Sequence, residues 1–212
     1  MAHRLTPRVV ADEAALRALI GQPTSAVTSK ISTRLNPLTR RFIELSPLVC
    51  LATSDSAGTC DVSPRGDPPG FVRVLDDVTL LLPERPGNRI ADSLRNILVN
   101  PHVGVLFFVP GVVDTFRVHG RATLTDDPEL LAPSAVEGKA PKLGILVDVE
   151  TAYTQCGKAF IRSDLWNPSR YVERTALPSI GQIQELLQGG AVDAATIDDE
   201  RRARYARREG FY

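Results

Sequence analysis

Between Asp61 and Arg89 the chain reads D-V-S-P-R-G-D-P-P-G-F-V, then a short apolar run, then P-E-R-P-G-N-R. Proline and glycine at this density punctuate the backbone and confine regular structure to the apolar run between them. The stretch predicts a turn, a buried strand and a second turn, with Arg65 and Arg89 on either side. The second cluster, Pro86-Gly87-Asn88-Arg89, opens directly into a helical pattern. A polar turn feeding a helix N-terminus offers free backbone N–H groups and the positive end of the helix dipole, which suits a phosphate. The spacing points to a bound anion without naming it.

The bulk properties narrow the partners. The chain has 212 residues, with 25 Lys+Arg balanced by 25 Asp+Glu. That length fits one domain with extensions or two small ones, and it can bury a sizeable core. Zero formal net charge argues against a nucleic-acid binder, which shows a basic excess or stripe. Cys50, Cys60 and Cys156 form no C-x-x-C pair. An odd, scattered count reads as reduced thiols in a cytoplasmic protein. No run of about 18 apolar residues is present, so no membrane span is expected. Met1 to Arg8 lacks the apolar core of a signal peptide.

Along the chain, Asp12 can cap a helix whose Ala15, Leu16, Leu19 and Ile20 share a face, ended by Gly21 and Pro23. Asn36 and Pro37 fit the cap and first position of a second short helix, 38–45. The texture then turns to strands. Segments 48–53 and 59–63 flank a Ser-Ala-Gly turn as a hairpin. Segment 78–82 is fully apolar, and 88–98 is helical, with Ile90, Leu94, Ile97 and Leu98 as its stripe. Segments 103–109, 115–125 and 144–153 complete about six strands. In 115–125, Phe116, Val118, Gly120 and Ala122 alternate with Thr115, Arg117, His119 and Arg121. Mostly hairpin links favour a mainly β, α+β fold built on a six-stranded antiparallel barrel over a doubly wound parallel sheet. Residues 1–47 form a helical extension and 48–166 the barrel. Residues 167–212 form a second helical extension, packed on the barrel or a partner, with an amphipathic segment at 179–188 and a charged one at 198–208.

Several standard sites are absent: no G-x-G-x-x-G after a strand, no G-x-x-x-x-G-K-[ST], no H-E-x-x-H and no G-x-S-x-G. His3, His102 and His119 are scattered, so no metal site is expected. Each remaining candidate has an ordinary alternative. The Pro64–Phe71 loop is a rigid surface turn, or it presents Ser63 and Arg65 as donors to a phosphate or carboxylate. Asn88 is a simple helix cap, or it captures phosphate together with Arg89 and the backbone. Thr115, Arg117, His119 and Arg121 face solvent, or they line a groove for an anion. Lys158 and Arg162 share a helix face near Trp166, as a surface pair beside a core residue or as a cationic, aromatic wall for a flat ligand.

At these residues the chain resembles the pyridoxamine 5'-phosphate oxidase-like, FMN-binding split-barrel superfamily, and within it a bacterial branch of probable FMN-dependent enzymes. The matching pieces are F-I-E-L-S-P (42–47), L-A-T-S-D (51–55), D-V-S-P-R-G-D-P-P-G-F-V (61–72) and P-G-N-R (86–89). N-I-L-V-N-P (96–101), R-V-H-G-R-A (117–122) and C-G-K-A-F-I-R-S-D-L-W (156–166) follow. The resemblance implies a six-stranded split barrel that dimerises, with FMN in two grooves at the interface. It places Asn88 and Arg89 at the phosphate, and Ser63 and Arg65 on the strand lining the flavin. Thr115 and Arg117 lie beside the cofactor. Lys158, Arg162 and Trp166 reach the groove from the partner subunit. Gln155 departs from the branch, which carries histidine there. The Trp/Arg pair that reads pyridoxal substrates is missing from its usual spacing. Both departures argue against pyridoxamine-phosphate oxidation itself.

Two functions follow. The first is an FMN-dependent oxidoreductase acting on a small molecule, with a nicotinamide as possible donor and no side chain required as general base. The second is a non-catalytic haem- or flavin-binding protein for storage, delivery or sensing. Haem and deazaflavin are the alternative ligands, because some members of the superfamily bind them.

Overall fold

The structure, a computed structural model, describes residues 8–212. His3 lies outside them. Among the described residues eight α-helices are formed: α1 (Glu13–Ile20), α2 (Ser25–Thr28), α3 (Pro37–Leu45), α4 (Asp92–Val99), α5 (Pro128–Leu131), α6 (Lys158–Ser163), α7 (Ile180–Leu187) and α8 (Ala194–Ala206). Seven strands are β1 (Leu48–Ser54), β2 (Cys60–Gly66), β3 (Arg73–Val74), β4 (Thr79–Glu84), β5 (His102–Phe108), β6 (Thr115–Thr125) and β7 (Leu143–Gln155). They join one antiparallel sheet in the order β2-β1-β5-β6-β7-β4-β3. The fold is therefore α+β, a multi-stranded antiparallel sheet with flanking helices.

Strand periodicity builds the core. Val49 and Leu51 of β1, Val105 and Phe107 of β5, and Phe116 and Val118 of β6 are almost fully buried on one face of the sheet. Leu80 and Leu82 of β4 and Ile145 and Val147 of β7 continue the same cluster. Ile43 of α3 and Ile97 of α4 enter this core. Helix α3 starts at a capping box, Asn36 with Thr39, followed by Pro37. In β6 the register shifts between His119 and Gly120. A Cβ on Gly120 would lie 2.0 Å from the Asp148 carbonyl oxygen, so only glycine fits this irregularity.

Three expectations need correction. Among the described residues the strand count is seven, not six. The added β3 has two residues, paired with Leu80 and Leu81, and is too short to show any periodicity. The helix expected over 88–98 runs Asp92–Val99, because Arg89 and Ala91 hold left-handed backbone conformations (φ 65° and 61°) that delay its start. Helix α8 also begins earlier than expected, at Ala194, where the Asp193 carboxylate accepts from the Thr196 N–H.

The outer strands β2 and β3 end the sheet, and among the described residues no ladder joins them. Side chains bridge this seam instead. Arg65 on β2 meets Glu84 on β4, and Arg85, just past β4, meets Asp67, just past β2. Among the described residues, no helix is long and apolar enough to cross a membrane.

Candidate functional site

A cavity of about 500 Å³ lies along the seam. Strand β2 supplies Asp61, Ser63 and Arg65, β4 supplies Glu84, the loop entering α4 supplies Gly87 through Ala91, and the first turn of α4 supplies Asp92, Ser93 and Leu94. Pairing explains the β2 set. Thr53 opposes Asp61, Leu51 opposes Ser63 and Val49 opposes Arg65, so these three polar residues share the face of the buried β1 residues. Cys60, Val62 and Pro64 point to the other face.

The loop is held by local bonds. The Asn88 Oδ1 accepts from the Ile90 N–H at 3.0 Å, leaving its amide NH₂ as a donor. Two non-glycine residues in the left-handed region within three positions carry backbone strain, a feature that clusters at ligand clamps. Ser93 Oγ donates to Asp61 Oδ2 at 2.7 Å, and Asn96 Nδ2 donates to Thr53 Oγ1 at 3.1 Å. These two bonds fix α4 against the β1–β2 hairpin. The first turn of α4 leaves backbone N–H groups without intrahelical partners beside the cavity.

Arg65 is less available than its sequence context implies. Its Nε donates to Glu84 Oε2 at 3.0 Å, and its Nη1 donates to Ser63 Oγ and to the Pro64 carbonyl. Arg85 is likewise committed, to Asp67 and to the Ser134 carbonyl. Among the described residues Arg89 has no ion pair, and Asp61 and Asp92 line the same cavity. Among the described residues the cavity thus carries one free cation at its loop end and several acceptors along β2 and α4. This combination suits a ligand with an anionic group at one end and hydroxyl donors along its length.

The remaining candidates lie elsewhere in the chain. Thr115 is only 4% exposed, contrary to the solvent-facing alternative, while Arg117 is half-buried. The Arg117 guanidinium carbon lies 5.8 Å from the Tyr153 ring centroid. His119 meets the same ring edge-on, and burial followed by the Arg117 charge holds its pKa below the usual histidine value. A second cavity, of about 360 Å³, lies against this face and is lined by Cys60, His102, His119 and Glu150, among others. No group of three metal-ligating side chains occurs among the described residues. Lys158 and Arg162 are exposed on α6. Trp166 stacks on Phe160 with centroids 5.7 Å apart and donates to the Val112 carbonyl at 2.9 Å. Four of nine candidates, Ser63, Arg65, Asn88 and Arg89, thus share the seam cavity. Thr115, Arg117, Lys158, Arg162 and Trp166 do not line it.

Sequence reasoning missed Asp61, Glu84, Asp92 and Ser93. Asp61 was within reach, since the alternation 61, 63, 65 along β2 places it beside the other two. Glu84 comes from a strand that reaches Arg65 only through the sheet order.

An antiparallel sheet whose outer strands flank a seam, with a strained loop at a helix start and a cavity of small-molecule size between them, defines the class: an α+β protein with a cavity at the sheet seam. The profile of the pyridoxamine 5'-phosphate oxidase family matches residues 35–156, more than half of the chain, and the chain belongs to that family. No curated protein matches it. Similar solved structures include HupZ of Group A Streptococcus, 18% identical over 57% of this chain and 93% of its own, with TM-score 0.47. General stress protein 26 of Bacillus anthracis is 18% identical over 55% and 89%, with TM-score 0.43. An FMN-binding protein of Syntrophomonas wolfei is 14% identical over 56% and 89%, with TM-score 0.42.

Proposed function

We propose that the seam cavity holds FMN on a split barrel and that the protein is an FMN-dependent oxidoreductase acting on a small molecule. The observation that carries this reading is the convergence of Ser63, Arg65, Asn88 and Arg89 on one cavity in a member of this family. Arg89, the Asn88 amide and the free N–H groups of the loop and α4 would hold the phosphate. Asp61 and Ser63 would accept hydrogen bonds from the ribityl hydroxyls. Arg65, kept rigid by Glu84, would orient the ring end without adding net charge. Bound FMN would supply the redox chemistry by accepting and donating hydride. The chain's own work is to bind, orient and exclude water, and no side chain in the cavity is needed to move a proton.

Thr115, Arg117, Lys158, Arg162 and Trp166 are outside the protomer's cavity, so in this reading a second copy of the chain brings them to the flavin across a homodimer interface. A nicotinamide is the natural donor to test.

The test is the visible spectrum of the purified protein, then anaerobic mixing with NADH or NADPH. Flavin bands that bleach on mixing support the proposal. A Soret band instead favours non-catalytic haem carriage, a reading that draws on His102 and His119 lining the second cavity. A colourless protein that takes up neither FMN nor haem excludes both.

A further inference from the structure

A third cavity, of about 620 Å³, adjoins the seam cavity and shares Arg85, Gly87 and Asn88 with it as a common wall. Its outer wall comes from α8 and the segment after it: Arg204, Tyr205, Phe211 and Tyr212. Three aromatic rings and a guanidinium therefore stand just beyond the proposed phosphate loop.

This wall is anchored, not draped. Tyr212 Oη donates to Asp67 Oδ1 at 2.8 Å, while Arg85 Nε donates to Asp67 Oδ2 at 2.6 Å. The Asp67 side chain is 1% exposed, and the Arg85 guanidinium lies 5.1 Å from the Tyr212 ring centroid. The bond to Asp67 holds the phenol above its usual pKa. Tyr205 and Phe211 pack edge to face at 5.7 Å, and Arg208 pairs with Glu137 at 3.0 Å. A buried carboxylate thus pins the segment against the loop that borders the seam cavity.

The charges are equally specific. Glu209 in the wall pairs with Arg207, and Arg85 is committed to Asp67. Arg204 has no ion pair among the described residues, and neither does Arg89 on the far side of the Asn88 wall. A free guanidinium beside aromatic rings, which Arg85, Arg201 and Arg208 already approach on other sides, selects a flat ring that carries a phosphate. The volume lies within the range of small-molecule sites.

We propose that this cavity is a subsite for an aromatic nucleoside 5'-phosphate, with the phosphate on Arg204 and the base against Tyr205, Phe211 and Tyr212. Two sources share that chemistry: the adenylate half of a flavin adenine dinucleotide whose flavin half fills the seam cavity, or the adenylate half of a nicotinamide donor. The assignment to either source rests on the flavin reading above; the binding of the nucleotide does not.

The experiment is calorimetric titration of the full chain with 5'-AMP, adenosine and ribose 5-phosphate. AMP is expected to bind about tenfold or more tighter than either fragment, since both base and phosphate contribute. Arg204→Ala, an exposed and unpaired position, is expected to weaken AMP about fivefold or more while leaving FMN affinity within about twofold. FAD binding tighter than FMN, with the difference lost in Arg204→Ala, assigns the subsite to the flavin. AMP competition with NADH on FMN-loaded protein assigns it to the donor. No AMP binding, or AMP binding unchanged in Arg204→Ala, overturns the proposal even where FMN binds. AMP binding in a protein that takes up no flavin supports the subsite and sinks the flavin reading alone.

Discussion

Arg65 Nε lies 3.0 Å from Glu84 Oε2, and this pair closes a seam that no backbone ladder crosses among the described residues. Both side chains are less than one-fifth exposed, at 17% and 19%. Glu84→Gln keeps an acceptor for Arg65 but removes its counter-charge. The ligand-free protein is expected to lose about 1–2 kcal/mol, since the pair is largely but not fully desolvated. FMN should bind about fivefold tighter, because Arg65 then adds net positive charge to the cavity. Chemical denaturation and flavin fluorescence titration measure the two effects, which run in opposite directions. A variant that is weakened in both would show that Glu84 acts only as a strut.

Arg89 combines a free guanidinium with a left-handed backbone conformation at φ 65°. Glycine adopts that conformation without the cost that a side chain incurs. Arg89→Gly is therefore expected to raise stability by about 0.5 kcal/mol while weakening FMN by about tenfold or more. Ala91→Gly, at φ 61°, is the control: it relieves comparable strain and removes no charge. Equal FMN affinity in the wild type and Arg89→Gly would remove Arg89 from the phosphate site.

Asp67 holds two partners from distant parts of the chain, Arg85 and Tyr212, in a nearly inaccessible position. Asp67→Asn leaves the 15%-exposed Arg85 side chain without its anion. The expected cost is about 3 kcal/mol. That corresponds to a Tm lower by about 6–12 °C for a chain of this size. Tyr212→Phe removes one hydrogen bond and should cost only about 1 kcal/mol. Similar losses in the two variants would mean that Arg85 does not depend on Asp67.

Local chemistry made much of this legible. Asn36-Pro37, Ser179 and the Ser-Ala-Gly turn are read within a few residues, and they start α3, start α7 and close the β1–β2 hairpin as expected. Seven strands became six because Arg73–Val74 is too short for any pattern. The helix start at Asp92 was misplaced because Asn88 has a cap's chemistry but spends it on the Ile90 N–H, inside a strained loop. At the site, the Ser63–Arg89 set was accessible from turn residues and spacing. The neutralisation of Arg65 was not, because Glu84 is 19 residues away and meets it only across the sheet seam. Charge pairing between sheet edges is a property of topology, which residue spacing does not encode.

His119 offers a test of the polar sheet face that is independent of any ligand. Desolvation first, and then the positive charge of Arg117, hold its pKa below the ordinary 6.5. Its ring also meets the Tyr153 edge, and its Nδ1 lies 3.3 Å from the Thr151 hydroxyl. The native state therefore resists a proton that the unfolded chain accepts. The unfolded state binds more protons between the native and ordinary values, so stability rises with pH across that window. The contribution is complete above about pH 6.5 and is lost as pH falls through the lowered native value. Asp76 and Asp77 are held below their ordinary 3.8 by hydrogen bonds to Val78 and to Arg34 and Arg40, so their losses come at more acid pH. Urea unfolding midpoints between pH 5 and pH 7.5 should thus fall on acidification in the wild type. His119→Asn keeps a polar side chain that does not titrate, and it should flatten that fall. Parallel pH profiles for the two proteins would place the titrating group elsewhere.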